Sequence, residues 1–271
     1  MDVNEFAKST ALRDDQVSEA LYLVRSRGYA VVPSFYSTRI CHKLKSELIN
    51  TLDRYKTFPG SDRSEKDRFH IHDLMNHSPL FCRMLEDPRL QQLLAPLLGD
   101  FWIMYAFTSS SVPPRGINYG HRVHNDCPRF APGYIFNMGL IWALDEFTRE
   151  NGGTVVLPGS HHVEKAPSDS LFEAHGMQLT GPAGALILFD ARMYHRSGEN
   201  TTDLWRHSLT MNACRSYMKQ RMDWVRMITP DHTDTLNAQA RRIIGFDTRL
   251  PASMDEFFVP EEQRLYKPNQ G

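Results

Sequence analysis

The sequence predicts a mainly β fold with flanking helices: a double-sheet jelly roll with N-terminal helices packed on one sheet. Amphipathic helical patterns dominate residues 1–99, whereas short apolar or alternating runs separated by Gly, Pro and Asn follow from residue 101. In addition, candidate metal ligands that are distant in sequence must converge in space. Two facing sheets of short strands can bring such residues together, and this favours a jelly roll.

The N-terminal part carries signals for three helices. Their predicted start and stop residues are, in chain order, Asp14 or Asp15 with Gly28, then Thr38, then Pro88 with Gly99. The second helix has apolar residues at positions 40, 41, 44, 48, 49 and 52, a spacing suited to packing on a sheet. A short strand is predicted at residues 29–32, directly after the first helix.

From residue 101 onward the pattern is typical of strands. Candidate strands are residues 101–112, 120–126, 134–144, 154–157, 185–189 and 204–216. Asn151-Gly152-Gly153 predicts a turn, and the polar, proline-containing chain after Thr229 is expected to wrap the core. We therefore expect one domain over residues 1–271, with a helical part at 1–99, a jelly-roll core at 100–216 and a C-terminal wrap at 217–271.

The composition favours a small-molecule partner. The 31 basic and 32 acidic residues give a formal net charge of −1, which offers no broad electrostatic reason to expect nucleic acid or an anionic membrane. The start has no apolar signal region, and no segment approaches the roughly 20 apolar residues of a membrane span, so we expect a soluble, cytoplasmic protein. The four cysteines lack CxxC spacing, which predicts reduced thiols.

His124 and Asp126 are the strongest candidates for metal ligands. Residues two apart on a strand share a face, so both side chains can bind one ion while Asn125 points away. A third ligand must come from a strand distant in sequence. His195 suits this role because it follows the apolar run 185–189, which is typical of a buried strand. Two histidines and one carboxylate on one face of a metal ion are the ligand set of non-haem Fe(II) oxygenases.

Other histidines have weaker patterns. His70-Ile71-His72-Asp73 follows the charged, loop-like residues 62–68, and we interpret it as surface or structural, with a place at the site entrance as the alternative. His161 and His162 follow a tight turn and are interpreted as supporting or structural residues rather than metal ligands.

At these residues the chain resembles the phytanoyl-CoA dioxygenase (PhyH) family of Fe(II)- and 2-oxoglutarate-dependent oxygenases. The resemblance covers about residues 100–216. The motifs that carry it are His124-Asn125-Asp126, Asn151-Gly152-Gly153-Thr154, Leu157-Pro158-Gly159-Ser160-His161, His195-Arg196-Ser197-Gly198 with Asn200, and Arg206 with Ser208. The ordered set is far more specific than any single motif.

The resemblance implies a cupin-like double-stranded β-helix and an oxidoreductase that uses Fe(II), 2-oxoglutarate and O2. The iron would be held by His124, Asp126 and His195. Oxidative decarboxylation of 2-oxoglutarate to succinate and CO2 would be coupled to oxidation, usually hydroxylation, of an unactivated C–H bond. Related halogenases have a small residue at the carboxylate position, so Asp126 implies hydroxylation rather than halogenation.

Five further residues are candidates for binding the cosubstrate. The resemblance places Arg206 at the distal carboxylate of 2-oxoglutarate, where a planar guanidinium can bind both oxygens. A structural salt bridge is the alternative. Ser208, on the same strand face, and Ser197 offer hydroxyls to that carboxylate. Trp142 either lies beside the cosubstrate or packs in the core. Arg122 lies on the predicted inward strand face and would meet the substrate, the C1 carboxylate of 2-oxoglutarate or a protein acid.

The expected substrate is a polar small metabolite or natural-product intermediate. The loops expected to select it are residues 113–118, 127–133 and 162–177, with Arg115, Arg129 and Lys165. Further candidates for the cavity wall are Tyr105, Ser109, Ser111, Thr210 and Asn212.

Two other functions are compatible with the same ligands. One is a metal-dependent hydrolase that uses the His/Asp/His site, and the other is a non-catalytic jelly-roll binding protein. The hydrolase leaves Ser197, Arg206 and Ser208 unexplained. Loss of a metal ligand would be the expected mark of the binding protein, whereas all three ligands are present.

Overall fold

The fold combines helices with two antiparallel sheets. The computed structural model describes residues 5–55 and 69–268. The strands are β1 (Tyr29–Val32), β2 (Ile103–Val112), β3 (Asn137–Ala143), β4 (Val155–Val156), β5 (Met177–Gln178), β6 (Leu186–Asp190), β7 (His195–Arg196) and β8 (Arg206–Cys214). The helices are α1 (Asp14–Arg27), α2 (Thr38–Arg54), α3 (Pro79–Arg83), α4 (Pro88–Leu98), α5 (Asp169–His175), α6 (Trp224–Met227), α7 (Pro230–Thr233), α8 (Ala238–Ile244) and α9 (Met254–Phe257).

The larger sheet has five strands in the order β1-β6-β3-β8-β2, and the smaller has three in the order β5-β4-β7. Strands far apart in sequence are neighbours in both sheets. An isolated bridge between His124 and His195 adds the residue 124 segment to the edge of β7. This pairing brings together two candidate metal ligands that are 71 positions apart in the sequence.

The three predicted N-terminal helices are present, with start residues displaced by one position from two of the predictions. Arg13, rather than an aspartate, precedes α1, and Ser37 rather than Thr38 caps α2 by accepting the Ile40 amide. Gly28 ends α1 with φ 95°, a left-handed conformation that glycine adopts without strain.

One face of the large sheet and the N-terminal helices share a single apolar core. Val24, Leu44 and Leu93 from the helices belong to the same buried cluster as Leu209 and Met211 from β8. Because side chains alternate along a strand, the neighbouring residues of β8 project from the other face of the sheet. That face carries the polar residues of the candidate site.

Three details of the predicted strands are wrong. Residues 120–126 form no regular strand: a short 3₁₀ turn at Tyr119–His121 is followed only by the bridge at His124. The two-residue strands β5 and β7 were not predicted, because a two-residue run carries too little pattern to detect.

The charged residues 62–68, which were predicted to be loop-like, lie outside the residues that the structure describes.

The C-terminal residues after 216 pack on the N-terminal half. Ala240, Ile243 and Ile244 of α8 are buried in the main core, where α8 contacts β2. The four cysteines are buried free thiols. Among the residues that the structure describes, no helix is long and apolar enough to cross a membrane.

Candidate active site

Three side chains converge where the edge of the small sheet meets the end of β6. His124, Asp126 and His195 each offer one ligand atom, and these atoms lie within 4.8 Å of one another. The His124 Nε2 lies 3.5 Å from Asp126 Oδ1, and the His195 Nε2 lies 3.9 Å from Asp126 Oδ2. Two imidazoles and one carboxylate arranged in this way can occupy one face of a metal ion and leave the opposite face open.

Backbone carbonyls orient both imidazoles for metal binding. His124 Nδ1 lies 2.8 Å from the Arg122 carbonyl, and His195 Nδ1 lies 3.0 Å from the Met193 carbonyl. A carbonyl oxygen only accepts, so each Nδ1 carries the proton and donates it. This leaves each Nε2, next to Asp126, as the nitrogen that a metal ion can bind once it carries no proton.

The three ligands perturb one another's pKa values. Burial raises the pKa of Asp126, but the nearby His195 and His124 lower it more, so the pKa lies below its ordinary value and the carboxyl is ionised. Burial lowers the pKa of His124, but Asp126 raises it above its ordinary value. For His195 burial prevails and the pKa is lowered. The ionised carboxylate and the neutral His195 are the protonation states that bind a divalent cation.

The neighbouring backbone and core fix the ligands in place. The amides of Asp126 and Cys127 both donate to the Ala191 carbonyl, at 2.8 and 3.0 Å. The ring of Phe189 packs against His195 with centroids 4.8 Å apart. Gly139 on the neighbouring strand makes room for this ring, because a Cβ atom there would lie 2.1 Å from it.

A cavity of about 360 Å³ opens above the large sheet beside the three ligands. Its wall follows from strand register: on β8, Thr210 and Asn212 line it, and their cross-strand partners on β2 are Thr108 and Ala106. Ile141 of β3, opposite Thr210, completes the floor. The two predicted β8 wall residues, Thr210 and Asn212, therefore do face the cavity.

Arg206 is buried and is not one of the residues that line the cavity, but its Nη1 donates at 3.4 Å to the carbonyl of Ser110, which does line it. Its Nη2 donates to the Gly152 carbonyl at 3.0 Å, and its Nη1 donates to Ser208 Oγ at 2.8 Å. The guanidinium carbon lies 4.4 Å from the centre of the Phe147 ring. Burial lowers the pKa of Arg206 to about 10, although the charge of Asp145 opposes this.

The guanidinium of Arg206 has no paired carboxylate among the described residues, and its Nε has no hydrogen-bond partner there. A buried cation without a counter-ion is costly to a folded protein. The arrangement therefore fits a binding site for an anion and argues against the structural salt bridge.

The Asn-Gly-Gly turn explains how a carbonyl reaches Arg206. Gly152 has φ 83°, and a Cβ atom there would lie 2.8 Å from the Gly198 carbonyl. Only glycine therefore fits where the turn passes against the segment after β7, and its carbonyl is left pointing at the guanidinium.

Ser197 and Ser208 both lie in this region, and Asn118 connects them. Asn118 is fully buried; its Oδ1 accepts the Ser197 hydroxyl at 2.6 Å, and its Nδ2 donates to Ser110 Oγ at 3.2 Å. Ser208 Oγ donates to the Ser110 carbonyl at 2.8 Å. Asn118 was predicted only as the end of the substrate-selecting loop 113–118 and not as part of this network, since a single asparagine in a proline-containing loop carries no distinguishing pattern.

Two predicted site residues are placed differently by the structure. Trp142 pairs with Leu209 and packs on Phe107 in the main core. Of its two predicted positions, beside the cosubstrate or in the core, this packing supports the core. Arg122 does not point inward from a strand: it is exposed at the rim of the cavity, where its Nη2 donates to the Tyr119 hydroxyl at 3.2 Å.

The wall of β2 also differs in part from the prediction. Tyr105 lines the cavity, but Ser109 and Ser111 face away, towards Ile71 and His207. An irregularity between Met104 and Ala106 shifts the strand register, so the alternation cannot be extended from one end of the strand to the other.

The remaining candidates divide between the cavity and other surfaces. His70 and His72 line the cavity, which agrees with the alternative prediction that residues 70–73 lie at the site entrance. His161 and His162 line a separate cavity of about 210 Å³ with Asp190. None of the three predicted loop cations, Arg115, Arg129 and Lys165, lines the candidate cavity. Arg115 instead pairs with Asp203.

The mixed antiparallel fold and the His-Asp-His site with its buried arginine define a non-haem iron, 2-oxoglutarate-dependent dioxygenase. The family model described as phytanoyl-CoA dioxygenase matches residues 24–208. The chain belongs to the phytanoyl-CoA dioxygenase family, which confirms the resemblance found in the sequence.

Two relatives are similar to this chain over most of its length. An uncharacterised protein of Mycobacterium tuberculosis (strain H37Rv) is 28% identical over 264 residues, covering 95% of this chain and 96% of the relative. The dioxygenase sphC of Aspergillus fumigatus is 24% identical over 260 residues, covering 88% and 70% of the two chains.

Two solved structures share the fold at low identity. AviO1 from Streptomyces viridochromogenes Tue57 is similar with a TM-score of 0.61 and 20% identity, over 78% of this chain and 99% of that one. The epimerase SnoN, in complex with Fe3+, alpha ketoglutarate and nogalamycin RO, has a TM-score of 0.61 and 19% identity, over 74% and 84%.

Proposed function

We propose that this protein uses Fe(II), 2-oxoglutarate and O2 to hydroxylate an unactivated C–H bond of a small metabolite or natural-product intermediate, releasing succinate and CO2. The observation that carries the proposal is the pairing of a three-ligand metal site with a buried guanidinium that has no counter-ion among the described residues. A metal site alone would not need this cation, whereas a dicarboxylate that also chelates the metal would.

In this proposal, His124, Asp126 and His195 hold the iron, which when bound supplies O2 activation coupled to decarboxylation of the cosubstrate. The ionised carboxylate of Asp126 offsets part of the metal's charge. The carbonyls of Arg122 and Met193 keep both imidazoles in the ligating tautomer.

The residues near Arg206 would bind the far end of the cosubstrate. Its guanidinium offers charge and hydrogen bonds to the distal carboxylate of 2-oxoglutarate, and the hydroxyls of Ser208 and Ser197 lie in the same network. Hydrogen bonds from Asn118 and to Gly152 hold these groups before the ligand arrives. Such preorganisation reduces the entropy that binding would otherwise cost.

The proposal also extends to the fold and the chain. The two sheets are taken to form the double-stranded β-helix of cupin-like enzymes, and residues 1–271 a single catalytic domain. The helices before residue 100 and those after residue 216 bury side chains in one core with the large sheet, which supports a single domain.

An anaerobic titration tests the proposal. Fe(II) and 2-oxoglutarate together should produce a visible metal-to-ligand charge-transfer band. In Arg206→Ala the 2-oxoglutarate needed for half of the band should rise by far more than tenfold or lie beyond the range of the titration, because the charged contact to the distal carboxylate is lost, with little change in the iron requirement. Arg226→Ala removes an exposed arginine that does not line the cavity and should behave as wild type.

The same sample then distinguishes the possible reactions. Adding O2 and candidate substrates should give succinate in step with a product that has gained one oxygen atom. A product of unchanged mass would indicate epimerisation, the reaction of the neighbour SnoN. If no charge-transfer band forms under any condition, a hydrolase or a binding protein becomes the better-supported function.

A further inference from the structure

The mouth of the cavity is lined by basic side chains from separate segments. Residues 69–72 run beside the edge strand β2, where the Ile71 amide donates to Ser109 Oγ at 2.9 Å and the Ser109 amide to the Ile71 carbonyl at 3.1 Å. Ile71 is completely buried, so its neighbours His70 and His72 project the other way, into the cavity wall.

Arg122 and Arg221 add two permanent charges to this mouth. Arg122 stacks on the Tyr119 ring with its guanidinium carbon 5.1 Å from the ring centre, and Tyr119 in turn contacts His70. Arg221 follows β8, and its amide donates to the Tyr105 carbonyl at 3.1 Å. It therefore stands at the end of the β2–β8 pair opposite to Arg206.

Arg122 and Arg221 have no matching acid among the described residues that line the mouth. Of those described residues, the only acidic one is Asp126, which is assigned to the metal. Neither rim arginine forms an ion pair with a described residue, whereas other exposed arginines do: Arg115 pairs with Asp203 at 2.7 Å and Arg226 with Asp223 at 3.7 Å.

The charges inside the cavity would largely cancel in the loaded enzyme. One divalent cation and Arg206 face Asp126 and a dicarboxylate, which together sum to zero. The positive charges of Arg122 and Arg221 then remain unbalanced among the described lining residues and can bind an anionic substrate.

We propose that the substrate is an anion whose carboxylate or phosphate group binds to Arg122 and Arg221 at the mouth while its reacting carbon lies over the metal. This inference rests on the proposed function and names the substrate class of that same site. Guanidinium groups bind carboxylate and phosphate through paired hydrogen bonds, and partial enclosure by the cavity wall strengthens such contacts.

Equilibrium dialysis with matched probes tests this directly. Phenylacetate and phenyl phosphate carry the anionic group, and phenylacetamide is the neutral counterpart of similar shape. Binding is measured anaerobically with saturating 2-oxoglutarate, so that Arg206 is occupied, and with and without Fe(II), so that direct coordination of the anion to iron is recognised.

The wild-type protein should bind at least one of the anions about tenfold more tightly than the amide, with or without iron. Arg122→Gln and Arg221→Gln should each weaken binding of that anion, and the double variant should abolish the preference while amide binding stays unchanged. Arg226→Gln removes the same charge from an exposed site outside the cavity and should retain the full preference.

The proposal is overturned if the wild type binds neither anion more tightly than the amide, or if the preference survives in the double variant or requires iron. Failure of the proposed function gives a different result. In that case the charge-transfer band is missing in the wild type, while the dialysis without iron still reports whether the mouth selects anions.

Discussion

Replacing Arg206 by methionine should leave the unliganded protein close to wild-type stability while removing the binding of 2-oxoglutarate. Burial holds the pKa of Arg206 at about 10, below the ordinary value of 12.5. At about 1.36 kcal/mol per pKa unit, the buried charge costs the folded state about 3 kcal/mol. Because the folded pKa is the lower one, this cost is present in full at every pH below about 10.

Methionine removes this cost but also removes hydrogen bonds. The guanidinium donates to the Gly152 carbonyl at 3.0 Å, to Ser208 Oγ at 2.8 Å and, more weakly, to the Ser110 carbonyl at 3.4 Å. Each is worth about 1 kcal/mol net, so the loss nearly offsets the gain. The free energy of unfolding should therefore change by no more than about 1 kcal/mol, whereas breaking a buried ion pair costs about 3–5 kcal/mol.

Urea denaturation with and without 2-oxoglutarate and a divalent metal measures both effects. The ligand should stabilise the wild type and leave the methionine variant unchanged, since only binding to the folded state shifts unfolding. Arg215→Met is the matched control. Arg215 also donates to carbonyls, those of Ile135, Leu97 and Leu98, but it lies away from the cavity lining, so its loss should destabilise the protein and preserve ligand binding.

A loss of more than about 3 kcal/mol in unliganded Arg206→Met would show that the arginine is one half of a structural ion pair. Equal stabilisation of the variant and the wild type by 2-oxoglutarate would refute the binding role.

Three further substitutions probe the site and its support. Gly139→Ala should lower the free energy of unfolding by about 1–3 kcal/mol and weaken metal binding, because its Cβ would lie 2.1 Å from the Phe189 ring that packs against His195. Gly181→Ala is the control, since a Cβ atom there would meet its neighbours at 3.4 Å. Equal effects of the two substitutions would contradict the reasoning. Burial raises the pKa of Asp190 from 3.8 to about 6, so the folded state favours the protonated carboxyl. The free energy of unfolding therefore falls as the pH rises from about 4 through 6 and this carboxyl ionises. Asp190→Asn should therefore gain up to about 3 kcal/mol over wild type between pH 4 and pH 7 in denaturation curves, and a pH-independent difference would exclude this. Asp126→Ala should abolish substrate-coupled succinate formation, and retained turnover would refute its role as a ligand.

Regular strands allowed parts of the site to be predicted from the sequence. β8 is continuous over residues 206–214, so the prediction that Ser208, Thr210 and Asn212 share a face with Arg206 agrees with the register. The three candidate metal ligands were predicted from spacing and resemblance, and the structure brings them together, although His124 and Asp126 lie on a nearly irregular segment rather than on a strand. The family and the class of enzyme followed from the ordered motifs.

The errors occur where the chain gives no alternation or interrupts it. Every residue of β3 is buried and only Asn137 at its start is polar, so the burial pattern does not distinguish its two faces, and the choice between Ile141 and Trp142 depends on pairing with β8. In β2 the irregularity near Ala106 reverses the face of the later serines. Arg122 was assigned by strand parity to a segment that is not a strand. Each error therefore comes from tertiary pairing that a local pattern does not contain.

The way in which Arg206 is held bears on its proposed role. Carbonyls and a hydroxyl orient the guanidinium through partial charges, but they do not neutralise it. A carboxylate in the same place would compete with an incoming dicarboxylate and would have to be displaced. The charge of Asp145 raises the pKa of Arg206, but the Asp145 carboxylate forms its hydrogen bonds with Lys45 at 2.5 Å and with the His207 amide at 2.8 Å. Asp145 is thus already engaged, so the full charge of Arg206 remains for a ligand, at a cost in stability that ligand binding recovers.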